Sequence, residues 1–488
     1  MRRLPLFVVA AQAALVATFA VGLRSGWFPL GVPGEWEWPR IKVGPAALPL
    51  LGAIAGVACF CGLVAAGFRA LSRGDGPRRE AAWLVGLAVA SVAVQGVVQE
   101  GAPEGYGLSK WIIALIAPGS SGYYTVAKTQ MADPARFLAD YPAWIARQDA
   151  LHVGTHPPGL FLASRAILGA MEASPAASKA VVEFSPPSVS AAIRAFRESE
   201  GLPRADASAL ALTGALTLFA CALTVVPLYL LARAGLSSPA SWASAALWPL
   251  VPSALMFQPT ADTAFPLLST SALALAAWAG RPGSARGMLL CAGSGLVMAA
   301  GMEFTLAFLP VGLVVALILA SAPGLTPSRR AASILATGAG FLAGTLGWWA
   351  ATSANPFAVW WANQRNHGRF YVEYPRSYLA WALANPVELS IGLGLPSAVW
   401  AAIGLGSPRR CPRVAWATLF VLAFLTLSGK NLSEVARLWL PLMPPLLVAA
   451  GSGFEKVGGG AETLAGSVAL VGIQSLILEA TIQVVYPF

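Results

Sequence analysis

The feature that most constrains this chain is a succession of apolar runs with charge confined to the short segments between them. Most runs are about 20 residues long, which as helices matches the ~30 Å thickness of a hydrocarbon core. They lack the alternation of a barrel strand, and in lipid a helix satisfies its backbone within one segment. Only 11% of the 488 residues are charged and 57% are hydrophobic, whereas soluble domains carry about a quarter charged residues. The pattern predicts an all-α polytopic membrane protein and excludes an ordinary soluble globule. The run after Met1-Arg2-Arg3 is too long for a cleaved signal and lacks a small-residue cleavage site, so it reads as a first span.

About 13 transmembrane helices are expected, at roughly 4–23, 45–68, 81–99, 207–232, 238–257, 263–280, 286–301, 304–322, 331–353, 378–404, 414–429, 438–454 and 463–485. Alternate short loops then hold fifteen basic residues on one side, from Arg2 and Arg3 through Arg69, Arg73, Arg233, Arg329 and Arg409 to Lys456, against eight opposite. The basic side faces the cytoplasm. The N-terminus is therefore expected in the cytoplasm, and the polar interval from Glu100 to Asp206 outside. Of the acids, only Asp75, Glu80, Glu455 and Glu462 fall on the inner side. The natural location is a bacterial inner (plasma) membrane. The net charge of +10 reflects orientation and anionic headgroups rather than a nucleic-acid partner. The five cysteines have no metal-ligand grouping and read as packing residues.

The outer interval holds two of the three histidines and ten of the twenty-two acids. Within Pro134–Arg147, residues Phe137, Leu138, Tyr141, Trp144 and Ile145 share one helical face. That predicts an interfacial helix with its apolar side toward the bilayer. A second helix should begin at Thr155 as cap, with Pro157 and Pro158 in its first turn. Its apolar run Gly159–Met171 is too short to span, so it should be interfacial or re-entrant. His156 either hydrogen-bonds at that helix start or faces chemistry. His152, four residues earlier, could pair with it at a metal, although the Gly154 and Pro157-Pro158 flanks argue against one continuous helix.

Five segments carry a resemblance. They are Tyr123-Tyr124-Thr125-Val126-Ala127, His156-Pro157-Pro158-Gly159, Leu230-Leu231-Ala232-Arg233, Pro259-Thr260-Ala261-Asp262, and Ser433-Glu434-Val435-Ala436-Arg437-Leu438-Trp439-Leu440-Pro441. In order and spacing this set resembles the GT-C superfamily of membrane glycosyltransferases, in the branch of ArnT-type aminoarabinose transferases and protein O-mannosyltransferases. The likeness covers roughly residues 85 to 450. It divides the chain into two extra N-terminal spans (1–80), a GT-C-like core (81–454) with its outer loop at 100–206, and a C-terminal span (455–488). The resemblance implies an inverting transferase that moves a sugar from a polyprenyl-phosphate carrier to a lipid, glycan or protein acceptor on the outer face. Neither the sugar nor the acceptor follows from the sequence, and a divalent metal (Mg or Mn) is left open.

The family's loop acid, its usual base, would align with Ser120, Ser121 or Gly122, none of which can accept a proton as a carboxylate does. Asp262, Asp140 and Asp149 are therefore the candidate bases, with His156 beside them. Asp262 stands out because it sits in a very short loop between apolar runs, where a carboxylate is costly unless paired or functional. Phosphate and sugar contacts are expected from Tyr123, Tyr124, Glu303, Arg365, His367, Arg369, Lys430, Glu434 and Arg437, arginine being suited to phosphate oxygens. Glu35 and Glu37, in Gly34-Glu35-Trp36-Glu37-Trp38, read as an interface anchor. A transporter or flippase of a lipid-linked or polar solute, and a GT-C-like scaffold without catalysis, are the alternatives.

Overall fold

The computed structural model describes residues 3–27, 30–74, 76–281 and 286–485. Arg2 and Asp75, which entered the charge balance, lie outside the described residues. The architecture is almost entirely helical, with one two-stranded hairpin among the described residues, Gly31–Val32 against Trp36–Glu37. Six helices are long and apolar enough to cross a membrane: Leu4–Ser25, Ala47–Ser72, Pro77–Glu100, Arg204–Arg233, Pro327–Thr352 and Ala461–Thr481. A seventh crossing is available if Tyr378–Leu393 and Leu395–Leu405, bent by 110°, are one broken span. The bend falls at Gly394, whose φ of +91° suits glycine, with Pro396 just beyond it.

Three further stretches expected to span are shorter helices interrupted or opened by proline. Residues 238–257 break into Ser238–Leu247, a turn at Trp248–Leu250, and Pro252–Met256. Pro249 and Pro252 remove donors that a continuous helix needs. Every residue from 241 to 260 is buried inside the protein. The apolarity of this segment therefore serves the core rather than lipid contact. Phe265–Ala279 and Met443–Val457 likewise bury much of their apolar surface in the same core.

Ion pairs join loops that the charge balance puts together. Arg233 Nε meets Glu80 at 3.0 Å, and Arg69 meets Glu462 at 2.6 Å. At the other end of the bundle the polar interval folds into a layer of short helices. Pro134–Ile145 starts where Asp133 accepts from the Ala135 and Arg136 amides, with Pro134 at the first position. Its five expected apolar residues are all buried. They pack on Phe161, Tyr123 and Val359, so the face points into protein and not down onto lipid.

The expected Thr155 cap is absent. His152–Thr155 is a separate single turn, whose Thr155 hydroxyl donates back to the Leu151 carbonyl at 2.6 Å. The next helix, Gly159–Ala173, is entered from Pro158. Its amide at Gly159 donates to the Glu303 carbonyl at 2.9 Å. Pro157 forces His156 into an extended conformation, and this separates the two helices.

Helices Gly287–Met302 and Pro327–Thr352 cross closely through Gly295 and Gly340. A Cβ on Gly340 would clash with the Ala292 carbonyl, and one on Gly295 with the Thr337 carbonyl. Gly340→Leu should cost about 1–3 kcal/mol through overpacking and lower the thermal midpoint of the detergent-purified protein. Gly338→Leu, where a Cβ meets nothing within 4 Å, should leave that midpoint unchanged.

Candidate functional site

The loop before Met443–Val457 reverses sharply. Ser433 and Glu434 have φ of +85° and +54°, a region that side chains other than glycine occupy only when surroundings hold them there. Two contacts do so. Arg376 Nε donates to Ser433 Oγ at 3.4 Å, and the Ala436 amide donates to buried Glu388 Oε1 at 3.1 Å. The reversal starts the one-turn helix Val435–Leu438, which carries Arg437 into a cavity of about 690 Å³.

Arg437 is 16% exposed and bonded on two sides. Nη2 donates to Glu434 at 2.6 Å, and Nη1 to His152 Nε2 at 3.1 Å. Its buried Nε–H has no hydrogen-bond partner among the described residues, and Asp262 lies 4.0 Å away. Burial alone would lower the guanidinium pKa; the carboxylates of Glu434 and Asp262 more than reverse this and hold it above its usual value. The group stays charged with one donor uncommitted.

Asp262 sits in the short turn Ala261–Thr263 and, like Arg437, lines the cavity. Its carboxylate makes no hydrogen bond among the described residues. His152, His156 and His367 also line the cavity. Burial lowers the pKa of all three, and the Arg437 charge lowers His152 further. They are neutral at pH 7. His156 Nδ1 lies 2.9 Å from the His152 carbonyl, so Nδ1–H donates there and Nε2 is left as an acceptor. Tyr123 is buried edge-on to His156 at 5.5 Å, and burial keeps its phenol protonated.

A second cavity of about 420 Å³ is apolar and lined by Leu115, Leu160, Ile167, Leu216 and Phe265 among others. Tyr123 belongs to its wall, as does Ala261 beside Asp262. Tyr123 and the Ala261–Thr263 turn thus stand where the two cavities approach each other.

The structure brings Asp262, His156, His367, Glu434 and Arg437 together with Tyr123 packed on His156, and it places the remaining expected residues elsewhere. Asp140 is exposed and pairs with Arg136 at 3.9 Å. Asp149 is exposed and caps the Leu151 amide. Arg365 and Lys430 are exposed and do not line the cavity. Arg369 is committed to Glu373, Asn366 and the Gln148 carbonyl, and so fastens Pro356–Glu373 to the outer layer. Tyr124 turns away to Asp206, which also receives Lys128. Glu303 lies outside the polar cavity, both oxygens without a hydrogen bond among the described residues, its carboxyl pushed up to about 7 by burial. At the position of the family's loop acid, Ser120 Oγ donates to the Ala114 carbonyl at 2.7 Å and Gly122 has φ +77°. That segment is a tight turn.

Reasoning from sequence missed the hairpin. Trp36, Glu37 and Pro39 line the same cavity, as do Phe370, Tyr371 and Tyr374 from another segment. Among the described residues no group of three His, Cys, Asp or Glu side chains is arranged to hold a metal. The Arg437 guanidinium bonds Glu434 and lies 4.0 Å from Asp262, and its positive charge between the two carboxylates does not fit a metal there. No family model matches the chain, and no curated protein matches it.

The neutral histidines give a signed prediction. Their folded pKa values lie below the usual 6.5, so the unfolded chain binds protons that the folded chain refuses. Their contribution to stability is complete above that value and is lost as pH falls from there toward the folded values. The thermal midpoint in detergent should drop between pH 7.5 and 5. His152→Gln, which keeps an acceptor for Arg437, should flatten that drop; an unchanged pH profile in the variant would refute the assignment.

Proposed function

We propose that the chain is a membrane glycosyltransferase that moves a sugar from a polyprenyl-phosphate carrier to an acceptor on the outer face, with inversion. The supporting observation is Arg437, a buried cation with one uncommitted donor, beside an unbonded carboxylate and close to where an apolar cavity meets a polar one. The apolar cavity suits an isoprenoid tail and the polar one the phosphate and sugar. Asp262 takes the proton of the acceptor hydroxyl. The hydroxyl oxygen bonds to the anomeric carbon as the bond from that carbon to the phosphate oxygen breaks, and the electron pair leaves with polyprenyl phosphate. Arg437 stabilises the charge gathering on that phosphate.

The accompanying topology has thirteen crossings, with the N-terminus in the cytoplasm of a bacterial inner membrane. The shorter helices, among them Gly287–Met302, Phe308–Ala320 and Arg413–Leu427, cross within the bundle. Reporter fusions at Arg329 and Ser185 should read cytoplasmic and periplasmic respectively. A periplasmic signal at Arg329 or a cytoplasmic one at Ser185 would overturn the orientation.

Purified protein given a panel of synthetic polyprenyl-phospho-sugars should release polyprenyl phosphate and transfer the sugar. Asp262→Asn and Arg437→Ala should each lower the rate by at least about 100-fold. Asp140→Asn and Asp149→Asn should stay within about twofold, as exposed substitutions do. Full activity in Asp262→Asn would remove it as the base. A flippase is the second reading, favoured by the 110° break at Gly394, since broken helices build transport sites. In that case vesicles would move the carrier between leaflets with its sugar–phosphate bond intact.

A further inference from the structure

The N-terminal hairpin lies outside the stretch that carries the family resemblance, yet it forms part of the cavity wall. It is held firmly. The Ser377 amide donates to both Glu35 oxygens at 3.0 Å, Trp381 Nε1 donates to Glu35 Oε2 at 2.7 Å, and Arg376 Nη1 donates to the Glu35 carbonyl at 3.1 Å. Its exit is tied to the chain's other end, where the Gln483 amide donates to the Pro39 carbonyl at 3.0 Å. Arg376, which clamps Glu35, also donates to Ser433 in the strained turn before Arg437. The hairpin and the cation are thus two ends of one braced unit.

The two residues it presents to the cavity have no polar side-chain partner among the described residues, although the Trp36 ring is itself packed. Trp36 contacts Trp38 and Trp381 through ring packing at 6.5 and 6.4 Å, and its indole N–H bonds to nothing among the described residues. Glu37 lines the cavity with no hydrogen bond or ion pair among the described residues. Glu35, two residues away, is tied down by three groups. One carboxylate therefore fixes the hairpin and the next is left free. Phe370 and Tyr374 add aromatic surface to the same cavity.

A sugar ring offers a patch of C–H bonds that packs on an indole face, while hydroxyls around its edge need acceptors. An indole beside a free carboxylate supplies both. We infer that the hairpin is the sugar-recognising wall of the cavity, with Trp36 packing on the ring of the transferred sugar and Glu37 accepting from its hydroxyls. This rests on the glycosyltransferase reading and adds to it the element that selects the sugar.

Binding is measured by calorimetry on the full-length protein in detergent, with farnesyl phosphate and with a panel of farnesyl-phospho-pentoses and -hexoses. Wild type should bind at least one sugar-bearing compound about tenfold more tightly than farnesyl phosphate, the increment expected of hydrogen bonds to a charged acceptor. Trp36→Ala and Glu37→Gln should each erase that increment and leave farnesyl phosphate affinity within about twofold of wild type. Trp36→Phe, which retains an aromatic face, should keep most of it. Glu37→Gln adds no bulk, so it guards against misfolding of the Trp36→Ala variant. The inference is overturned if both variants keep the increment, if they lose farnesyl phosphate binding equally, or if wild type never distinguishes the sugar. Failure of wild type to bind farnesyl phosphate at all would instead strike at the glycosyltransferase reading.

Discussion

The site depends on keeping the Arg437 guanidinium charged at 16% exposure. Removing such an ion from water is costly unless partners replace its hydration. Glu434 supplies one charge-assisted bond, neutral His152 another, and Asp262 a longer attraction. These partners come from different parts of the chain, so the cation sets how they assemble. The price is local backbone strain at Ser433 and Glu434, which Arg376 and Glu388 hold in place. Glu388 itself lies just before the Gly394 break, so the broken helix serves the site by presenting a carboxyl oxygen to the Ala436 amide.

The charge balance of the wall explains why three histidines gather there. Arg376 and Arg437 face Asp262, Glu434 and Glu37, so the wall carries no fixed positive excess. The imidazoles are neutral because burial disfavours the cation, and the Arg437 charge beside His152 and His156 disfavours it further. An anion placed beside them would reverse that preference, since a nearby negative charge favours the protonated form.

Much of the class was legible in the sequence, because lipid imposes a length and composition that few other constraints mimic. The amphipathic helix Pro134–Ile145 was legible too, as five apolar residues at helical spacing leave little freedom. What covers that face was not legible, because periodicity gives only a direction: Phe161 and Val359 cover it here, and lipid would have produced the same pattern. Residues 238–257 failed for the related reason that hydropathy cannot separate a lipid-facing helix from one buried in protein. The hairpin was the hardest case. Gly-Glu-Trp-Glu-Trp has the composition of an interface anchor, and its place in the cavity wall follows only from contacts to Ser377 and Trp381 more than 340 positions away.

The serines at the expected position of the loop acid follow from the same geometry. Pro118 and Gly119 line the cavity through a tight turn, with Ser120 and Ser121 almost wholly buried behind them. A carboxylate at either serine would lose hydration without gaining a cation, for Arg437 is already shared by Glu434 and Asp262. It would also add a further negative charge to a wall that already carries Glu37, Asp262 and Glu434. Asp262 avoids both penalties, since it reaches the cavity from the turn before Phe265–Ala279 and lies within range of the Arg437 Nε–H. That turn stands beside Tyr123 and the apolar cavity. The absence of a carboxylate at Ser120–Gly122 and the placement of Asp262 therefore both fit one arrangement around a single buried cation.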